Sequence, residues 1–415
     1  MVKVGRIFAT DEDGKSDQET DLKLANKKLM KIFRKSLFWL HLIAGVLGGI
    51  VIFIMCVTGA ALSFEKNILE NVEYAQRTVA VGEKRLSQQE LLTKTVEAKP
   101  KARPSTMVVK NDPGAAVTIS LGREGQVFVD PYSGVITGEG NKSARVFFGT
   151  MTDLHRWIAL SGDGRPVGKA ITGACNLMFL FLAISGIYIW MPRKLTWNGI
   201  RPVIWFRSTK SGKARDFNWH NTIGFWCSLI LVVLTITAAI ISYQWASNLL
   251  YTLTGNEVPP PQQQQAPTAN PASEQAFSVP ENINALWSRA ETQSDRWKSI
   301  SLRLPLTKDA VFTIDEGKSW NIFARSTLSL DATSGEIVKW DQYENRNSGQ
   351  QLRTWSRFTH TGESFGIVGQ IVGFIACIGG TFLVYTGLAL ATRRLFARWR
   401  KITNTPLSSG ERSTS

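Results

Sequence analysis

Apolar residues gather along this 415-residue chain into four long stretches, 37–64, 167–190, 222–245 and 365–391, and the segments between them are polar. A helix needs about 20 mainly apolar residues to cross the hydrocarbon layer of a bilayer, a length that all four stretches reach. Four membrane-spanning helices are therefore predicted. Two of the polar segments carry shorter patterns of their own. Ser87-Gln-Gln-Glu90 has the form of a capping box and opens into Leu91, Leu92 and Val96. Ile283, Leu286 and Trp287 stand at helical spacing after Pro280. Strand-like runs follow each predicted helix, at 106–109 and 116–121 in the first segment and at 300–304 and 310–314 in the second. Each segment then reaches a strand that runs into Asp-x-x-Ser-Gly, with Asp130 and Gly134 in one and Asp331 and Gly335 in the other. That is hairpin chemistry: the aspartate caps the turn through its side chain and the glycine accepts a positive φ.

These elements occur twice in the same order. The offset from Asp130 to Asp331 nearly equals that from His155 to His360, while the offset from His41 to His220 is shorter. The extra length of the second repeat coincides with a Pro/Gln-rich stretch, 258–277, whose composition suits a flexible linker rather than a core. The pattern indicates an internal duplication. Each repeat has two spans, an even number, so both enter the membrane in the same direction and are related by an axis along its normal. The expected fold class is a membrane α-helical protein: four transmembrane helices as two parallel repeats, each with an inserted external α+β domain.

The net charge of +15 changes the picture through its distribution. Lys27, Lys28, Lys31, Arg34 and Lys35 precede the first stretch. Arg193, Lys194, Arg201, Arg207, Lys210, Lys213 and Arg215 fill the short segment between the second and third, and Arg393, Arg394, Arg398, Arg400 and Lys401 follow the fourth. Lys and Arg concentrate on the cytoplasmic side of short loops, so both termini and the middle loop are expected inside. The basic excess also suits anionic headgroups, which makes membrane lipid its expected partner and excludes nucleic acid. The long charged leader and a first apolar run able to span predict an uncleaved anchor. The resulting division is a cytoplasmic tail (1–36), helix (37–64), external domain (65–150), histidine-bearing segment with the second helix (151–191) and basic loop (192–218). There follow the third helix (219–246), a second external domain (247–350) containing the linker, a second histidine-bearing segment with the fourth helix (351–392) and a tail (393–415).

Each apolar stretch holds one cysteine, Cys56, Cys175, Cys227 or Cys377, so no disulfide framework is expected in the external segments. The absence of C-x-x-C-H excludes c-type haem attachment through that motif. Single buried cysteines are packing residues in most proteins. The four histidines are more informative. His41 and His220 open their apolar stretches, while His155 and His360 precede theirs. Imidazole is the commonest nitrogen ligand of metals. In parallel repeats His41 faces His220 at the cytoplasmic end, and His155 faces His360 at the external end. A six-coordinate haem takes one axial ligand on each face, and bundle interiors commonly house cofactors.

The surroundings offer further candidates. Gly45, Gly48 and Gly49 lie beyond His41, Gly224 beyond His220, and Gly366, Gly369 and Gly373 beyond His360, where they would admit a helix or a porphyrin. Haem propionates need cations. Arg156, Arg165, Lys169, Arg353 and Arg357 are external candidates, and Arg34, Lys35 and Arg215 internal ones; all would also serve as interfacial anchors. Trp39, Trp157, Trp190, Trp219 and Trp355 fit an aromatic belt. Asp153, Asp216 and Glu363 near the histidines leave open a mixed nitrogen–oxygen site for a divalent ion, or carboxylates that orient the imidazoles. Two haem b groups are the expectation, because sites at opposite membrane faces suit electron transfer and are excessive for a structural ion.

Leu154-His-Arg-Trp157, the Thr58-Gly, Ser185-Gly and Thr386-Gly pairs late in three spans, and the two Asp-x-x-Ser-Gly hairpins together resemble the PepSY-associated transmembrane family over roughly residues 36–394. That family consists of bacterial inner-membrane proteins and includes iron-regulated proteins and ferric-siderophore reductases. The resemblance implies PepSY-like periplasmic domains and, as in the reductases, b-type haems on His41, His155, His220 and His360. Phe358-Thr-His-Thr361 departs from the Leu-His-Arg-Trp of the first repeat. The implied function is that of a di-haem oxidoreductase that passes electrons across the inner membrane to ferric-siderophore iron and releases Fe(II). Only a short tail follows the last span, so a quinol or a cytoplasmic reductase is expected as electron donor. The rival expectations are a non-enzymatic, membrane-anchored PepSY binding or regulatory protein, and a haem electron carrier with another acceptor.

Overall fold

The computed structural model describes residues 12–122, 125–192, 196–260, 277–317 and 323–403, with side chains from 24 to 400 within these ranges. Most of the stretch expected to be a linker lies outside the described residues, as do Arg193 and Lys194 of the basic loop and the ends of both tails. In chain order the first elements are α1 (Glu12–Leu62), α2 (Glu65–Val72), α3 (Tyr74–Arg77), α4 (Gln88–Ala98), β1 (Thr106–Lys110), β2 (Val117–Ser120), β3 (Gln126–Val129) and β4 (Ile136–Gly138). Next come α5 (Lys142–Trp157), α6 (Arg165–Trp190), α7 (Trp197–Ile204), α8 (Gly212–Ser242), α9 (Gln244–Leu253) and α10 (Ile283–Glu291). The last are β5 (Ser299–Arg303), β6 (Asp309–Asp315), β7 (Arg325–Asp331), β8 (Ile337–Asp341), α11 (Ser348–His360) and α12 (Gly366–Thr403).

The four apolar stretches fall in α1, α6, α8 and α12, each long and apolar enough to cross a membrane. Three boundaries differ from the sequence expectation. Helices α1 and α8 begin before their apolar stretches, α1 because the Lys- and Leu-rich segment upstream is itself a strong helix former and α8 at Gly212. His41 and His220 lie inside α1 and α8. The third stretch ends early: Tyr243 is extended (φ −114°, ψ 129°), so Trp245 belongs to α9.

The chain divides into two compact units, one made of residues 1–57, 170–235 and 375–415, the other of 58–169 and 236–374. In the first unit the helices pack through small residues. A β-carbon at Gly379 would collide with the Cys227 sulfur and one at Gly380 with that of Cys56, so this glycine pair lets α12 lie directly against α8 and α1. Ile52, Cys56 and Cys175 form one buried cluster and Ala183, Cys227, Leu231 and Ala376 another. The cysteines are free thiols. Asn176 donates to the Thr235 carbonyl at 3.0 Å, which satisfies a buried amide among apolar neighbours. Leu47, Ile50 and Leu229, with exposures of 71%, 71% and 72%, are the outward apolar positions that lipid would cover.

The second unit is built on one sheet. All neighbouring strands are antiparallel, in the order β4-β3-β2-β1-β5-β6-β7-β8. The two polar segments expected to fold as separate α+β domains thus share a single sheet. The join is β1 with β5, where Met107 stands opposite Leu302 and Val109 opposite Ile300. Either strand alone would leave an unpaired backbone edge, and pairing them makes one continuous apolar face. Helices α4 and α10 cover that face: Leu91, Leu92, Leu286 and Trp287 join Met107, Ile119, Ile300, Leu302, Phe312 and Leu328 in one core. Trp287 meets Phe312 edge-on at 5.7 Å. The capping box at Ser87 and Glu90 is formed. Both hairpins are as expected. Asp130 Oδ1 accepts from the Tyr132 amide at 2.8 Å and Asp331 Oδ1 from those of Thr333 and Ser334 at 2.9 and 2.8 Å, while Gly134 and Gly335 take φ of 75° and 73°.

Helix α5 is tied into this unit by a buried carboxylate. Glu73, completely buried between α2 and α3, accepts from Arg145 at 2.6 Å through both oxygens, from Arg77 at 2.7 Å and from the Asn141 amide at 2.9 Å. Burial by itself would raise its pKa, but the bonds from Arg145, Asn141 and Arg77 outweigh that and hold the carboxyl below the ordinary range. Helix α11 starts with a capping box between Asn347 and Gln350.

Candidate cofactor sites at two histidine pairs

Each histidine is held by a hydroxyl. His41 Nδ1 lies 2.8 Å from Ser185 Oγ, His220 Nδ1 lies 3.0 Å from Thr386 Oγ1, His155 Nδ1 lies 2.9 Å from Thr58 Oγ1, and His360 Nδ1 lies 3.4 Å from Thr237 Oγ1. All four hydroxyl residues are buried. The exchange is reciprocal along the chain: α1 carries His41 and Thr58, and α8 carries His220 and Thr237 at an identical spacing.

In the first unit this contact fixes a tautomer. The Ser185 hydroxyl donates to the Phe181 carbonyl at 2.6 Å, and that of Thr386 donates to the Phe382 carbonyl at 2.7 Å. Each hydroxyl has only one proton, so each must accept from the imidazole. His41 and His220 therefore carry hydrogen on Nδ1 and leave Nε2 with a free lone pair, the arrangement of a metal-ligating histidine. The glycines after the hydroxyls complete the seat. A β-carbon at Gly186 would lie 3.5 Å from His41 Cε1, and one at Gly387 would lie 3.3 Å from His220 Cε1.

Both imidazoles line one cavity of about 510 Å³, within the usual range for a bound organic ligand. Its walls include Gly45, Gly49, Gly186, Gly224 and Gly387, with Phe38, Phe179, Leu182, Leu231 and Leu383 around them. Gly45, Gly49 and Gly224 are thus brought to the site, whereas Gly48 lies against Ile52 and Met178. Arg34 is engaged elsewhere, with the Ile189 and Met191 carbonyls, and Arg215 pairs with Asp216 at 3.0 Å. The cations that line the cavity are Lys213, Arg393 and Arg394. In the sequence these look like ordinary flanking charges, and Arg393 and Arg394 stand far from both histidines along the chain.

In the second unit His155 closes the last turn of α5 and His360 ends α11. Their ring centroids are 6.3 Å apart with planes inclined at 52°. An imidazole nitrogen sits about 2 Å from a first-row metal, and its ring centre about 1 Å further, so two rings on opposite sides of one metal stand about 6 Å apart. Both helices stop abruptly beside their histidine. Ile158 and Ala159 take positive φ of 53° and 57° after α5, and Gly362 takes 77° after α11. The next helix then returns so closely that a side chain at Gly168 would strike the Trp157 carbonyl, and one at Gly369 that of Gly362.

Arg156 and Arg357 are exposed. The Arg156 guanidinium lies 4.5 Å from the Trp157 ring, and that of Arg357 lies 5.9 Å from the Phe358 ring. Arg165 covers the same tryptophan at 4.4 Å, and Arg353 donates to Ser247 at 3.1 Å. The carboxylates are engaged too. Asp153 pairs with Arg165 at 3.8 Å, Asp216 with Arg215 and Arg393, and Glu363 accepts from Thr361 at 2.9 Å. Among the described residues no three His, Cys, Asp or Glu side chains are grouped to hold a metal ion. Two imidazoles are too few to hold a bare divalent ion, which takes four or more ligands, but they match the axial positions of a haem iron.

These features define a membrane protein with four spanning helices, a companion α+β unit and two imidazole pairs. A family model described as the PepSY-associated TM region matches residues 38–394, and the chain belongs to that family. No curated protein matches the chain.

Proposed function

We propose that this protein is a di-haem b reductase of the bacterial inner membrane, with two parallel repeats and their α+β segments in the periplasm, that passes electrons to ferric-siderophore iron. The observation that carries this is the set of four imidazoles each held at Nδ1 by a buried hydroxyl, with Nε2 of His41 and His220 left as a lone-pair donor on a shared cavity. His41 and His220 would hold one haem, and His155 and His360 the other. When bound, haem supplies one-electron redox chemistry. Ser185, Thr386, Thr58 and Thr237 orient the ligands, and the glycine walls admit a flat macrocycle. The repeat reading draws support from the sheet, whose halves meet at equivalent strands, and from the common spacing between histidine and threonine in α1 and α8. The inside placement of the termini rests on their Lys and Arg.

Exposed Arg156, Arg165 and Arg357 near the second pair would raise the local concentration of anionic, oxygen-rich ferric chelates. Reduction of Fe(III) to Fe(II) weakens its hold on hard oxygen ligands, and the metal is released. In spheroplasts given a respiratory reductant, a ferric siderophore and an impermeant Fe(II) trap, reduced haem is expected to reoxidise as trapped iron accumulates. Charge reversal at Arg357 should slow this in a salt-dependent way. Haem that stays reduced with every ferric chelate would leave an electron carrier with another acceptor. Ser185→Ala or Thr386→Ala is expected to weaken haem retention at the first pair about tenfold and to shift its midpoint potential, while Ser185→Thr preserves both. Unchanged retention and potential in the alanine variants would remove the orienting role.

A further inference from the structure

We propose that α7 and the residues after it, 205–207, form a hook that binds an anionic phospholipid, with the phosphate on Arg201 and Arg207 and the apolar part over Trp197, Trp205 and Phe206. The site requires only that α6 and α8 cross a bilayer, and it is independent of the haem reading. A basic loop between two spans would ordinarily attract anionic headgroups without a fixed seat. This one is folded back and pinned to α8. Asn218, buried in α8, donates to the Pro202 and Trp205 carbonyls at 3.2 and 3.1 Å and accepts from the Arg207 amide at 2.8 Å. Thr222 donates to the Trp205 carbonyl at 3.3 Å, and the Trp226 Nε1–H donates to that of Ile204 at 3.0 Å. Asn218, Thr222 and Trp226 stand four residues apart on one face of α8, and together they fix the backbone from Pro202 to Arg207.

Held in this way, Arg201, Trp205, Phe206 and Arg207 line one cleft. Between Met191 and Asp216 the sequence has no acidic residue. Asp216 itself is bound by Arg215 and Arg393 at 3.0 and 2.6 Å, so the two guanidiniums of the cleft meet no anion from their own segment. Trp197, Trp205 and Phe206 are 61%, 56% and 60% exposed. A free phosphate would satisfy the arginines and leave these rings in water. A zwitterionic lipid would cover the rings but bring its own cation against the arginines. An anionic phospholipid meets both needs: its phosphate takes charge-assisted bonds from guanidinium forks, and the aromatic rings lie at headgroup depth, where such side chains collect. The segment joins two spanning helices, so the headgroup layer is within its reach.

The test is a titration of delipidated full-length protein in neutral detergent with phosphatidylglycerol or phosphatidylcholine, with bound lipid counted by native mass spectrometry. The first phosphatidylglycerol is expected to bind about tenfold more tightly than the first phosphatidylcholine. Arg201→Gln combined with Arg207→Gln should bring that ratio close to one, whereas Lys27→Gln combined with Lys28→Gln, which removes the same charge from α1, should leave it intact. Asn218→Ala and Trp226→Phe change no charge but unpin the hook, and each should shrink the ratio severalfold. Equal binding of the two lipids by the wild type overturns the proposal. So does an equal loss of preference in the lysine variant, or a full preference in both unpinned variants, since either result would assign the selectivity to diffuse charge. Displacement of the lipid by millimolar inorganic phosphate would make this a site for the free ion and likewise overturn it. Loss of a co-purifying acidic protein from the arginine variant, with the lipid ratio unchanged, would assign the hook to that partner instead.

Discussion

Replacing His41 or His220 with alanine is expected to remove the same half of the protein's haem, and replacing His155 or His360 the other half. The grouping follows from geometry: His41 and His220 line one cavity, and the rings of His155 and His360 face each other at 6.3 Å. Both imidazoles of a pair would hold the same haem, so loss of either should release it, and the two variants of a pair should lose the same spectral component. The measurement is pyridine haemochrome content per protein, with low-temperature spectra to resolve the two centres. Wild-type protein with no haem would end the reductase assignment. Loss of all haem in every single variant would instead mean that the pairs do not act separately.

A second large effect is expected at Glu73, far from either pair in sequence. Its carboxylate joins the α2–α3 corner to α5, the helix that ends at His155, through bonds from Arg145, Arg77 and the Asn141 amide. Glu73→Ala leaves Arg145 and Arg77, both largely buried, without their anion, and removal of one partner from a buried ion pair costs about 3 kcal/mol. The pH dependence follows from the depressed folded pKa. Stabilisation is fully present above the unfolded carboxylate value of about 4.3 and is lost as pH falls through the folded one. Thermal unfolding of the wild type should therefore lose this increment on acidification below about pH 4. Glu73→Gln should be destabilised at neutral pH and lack that step. A Glu73→Ala protein as stable as the wild type would mean that the corner contributes little, and an acid step retained in Glu73→Gln would assign it to another carboxylate.

Much of the architecture is legible along the chain because it depends on local pattern. Four apolar runs long enough to span, the capping box at Ser87, the strand alternation and the two aspartate-capped hairpins are each decided by residues within a few positions of one another. The histidines stand out for a similar reason, as one per apolar run. The helix starts before His41 and His220 are less visible, since hydropathy marks where a helix enters lipid and not where its hydrogen bonding begins. The Thr58-Gly, Ser185-Gly and Thr386-Gly pairs are noticeable as a pattern, but Thr237 is not, because Ala238 follows it in place of glycine.

Tertiary structure decided the rest. That β1 pairs with β5, so that two segments make one sheet, depends on two edges far apart in the chain finding each other, and each strand would look the same at the rim of its own domain. The bond from a serine or threonine to an imidazole also joins residues from 97 to 166 positions apart. Lys213, Arg393, Arg394 and Trp190 are ordinary membrane-flanking residues when read in order. They become one end of a cavity only because small residues such as Gly379 and Gly380 allow α12 to pack directly against α1 and α8. Secondary structure and membrane insertion follow from short-range periodicity and transfer energy, whereas a binding site is a coincidence in space of side chains whose separation along the chain carries no local signal.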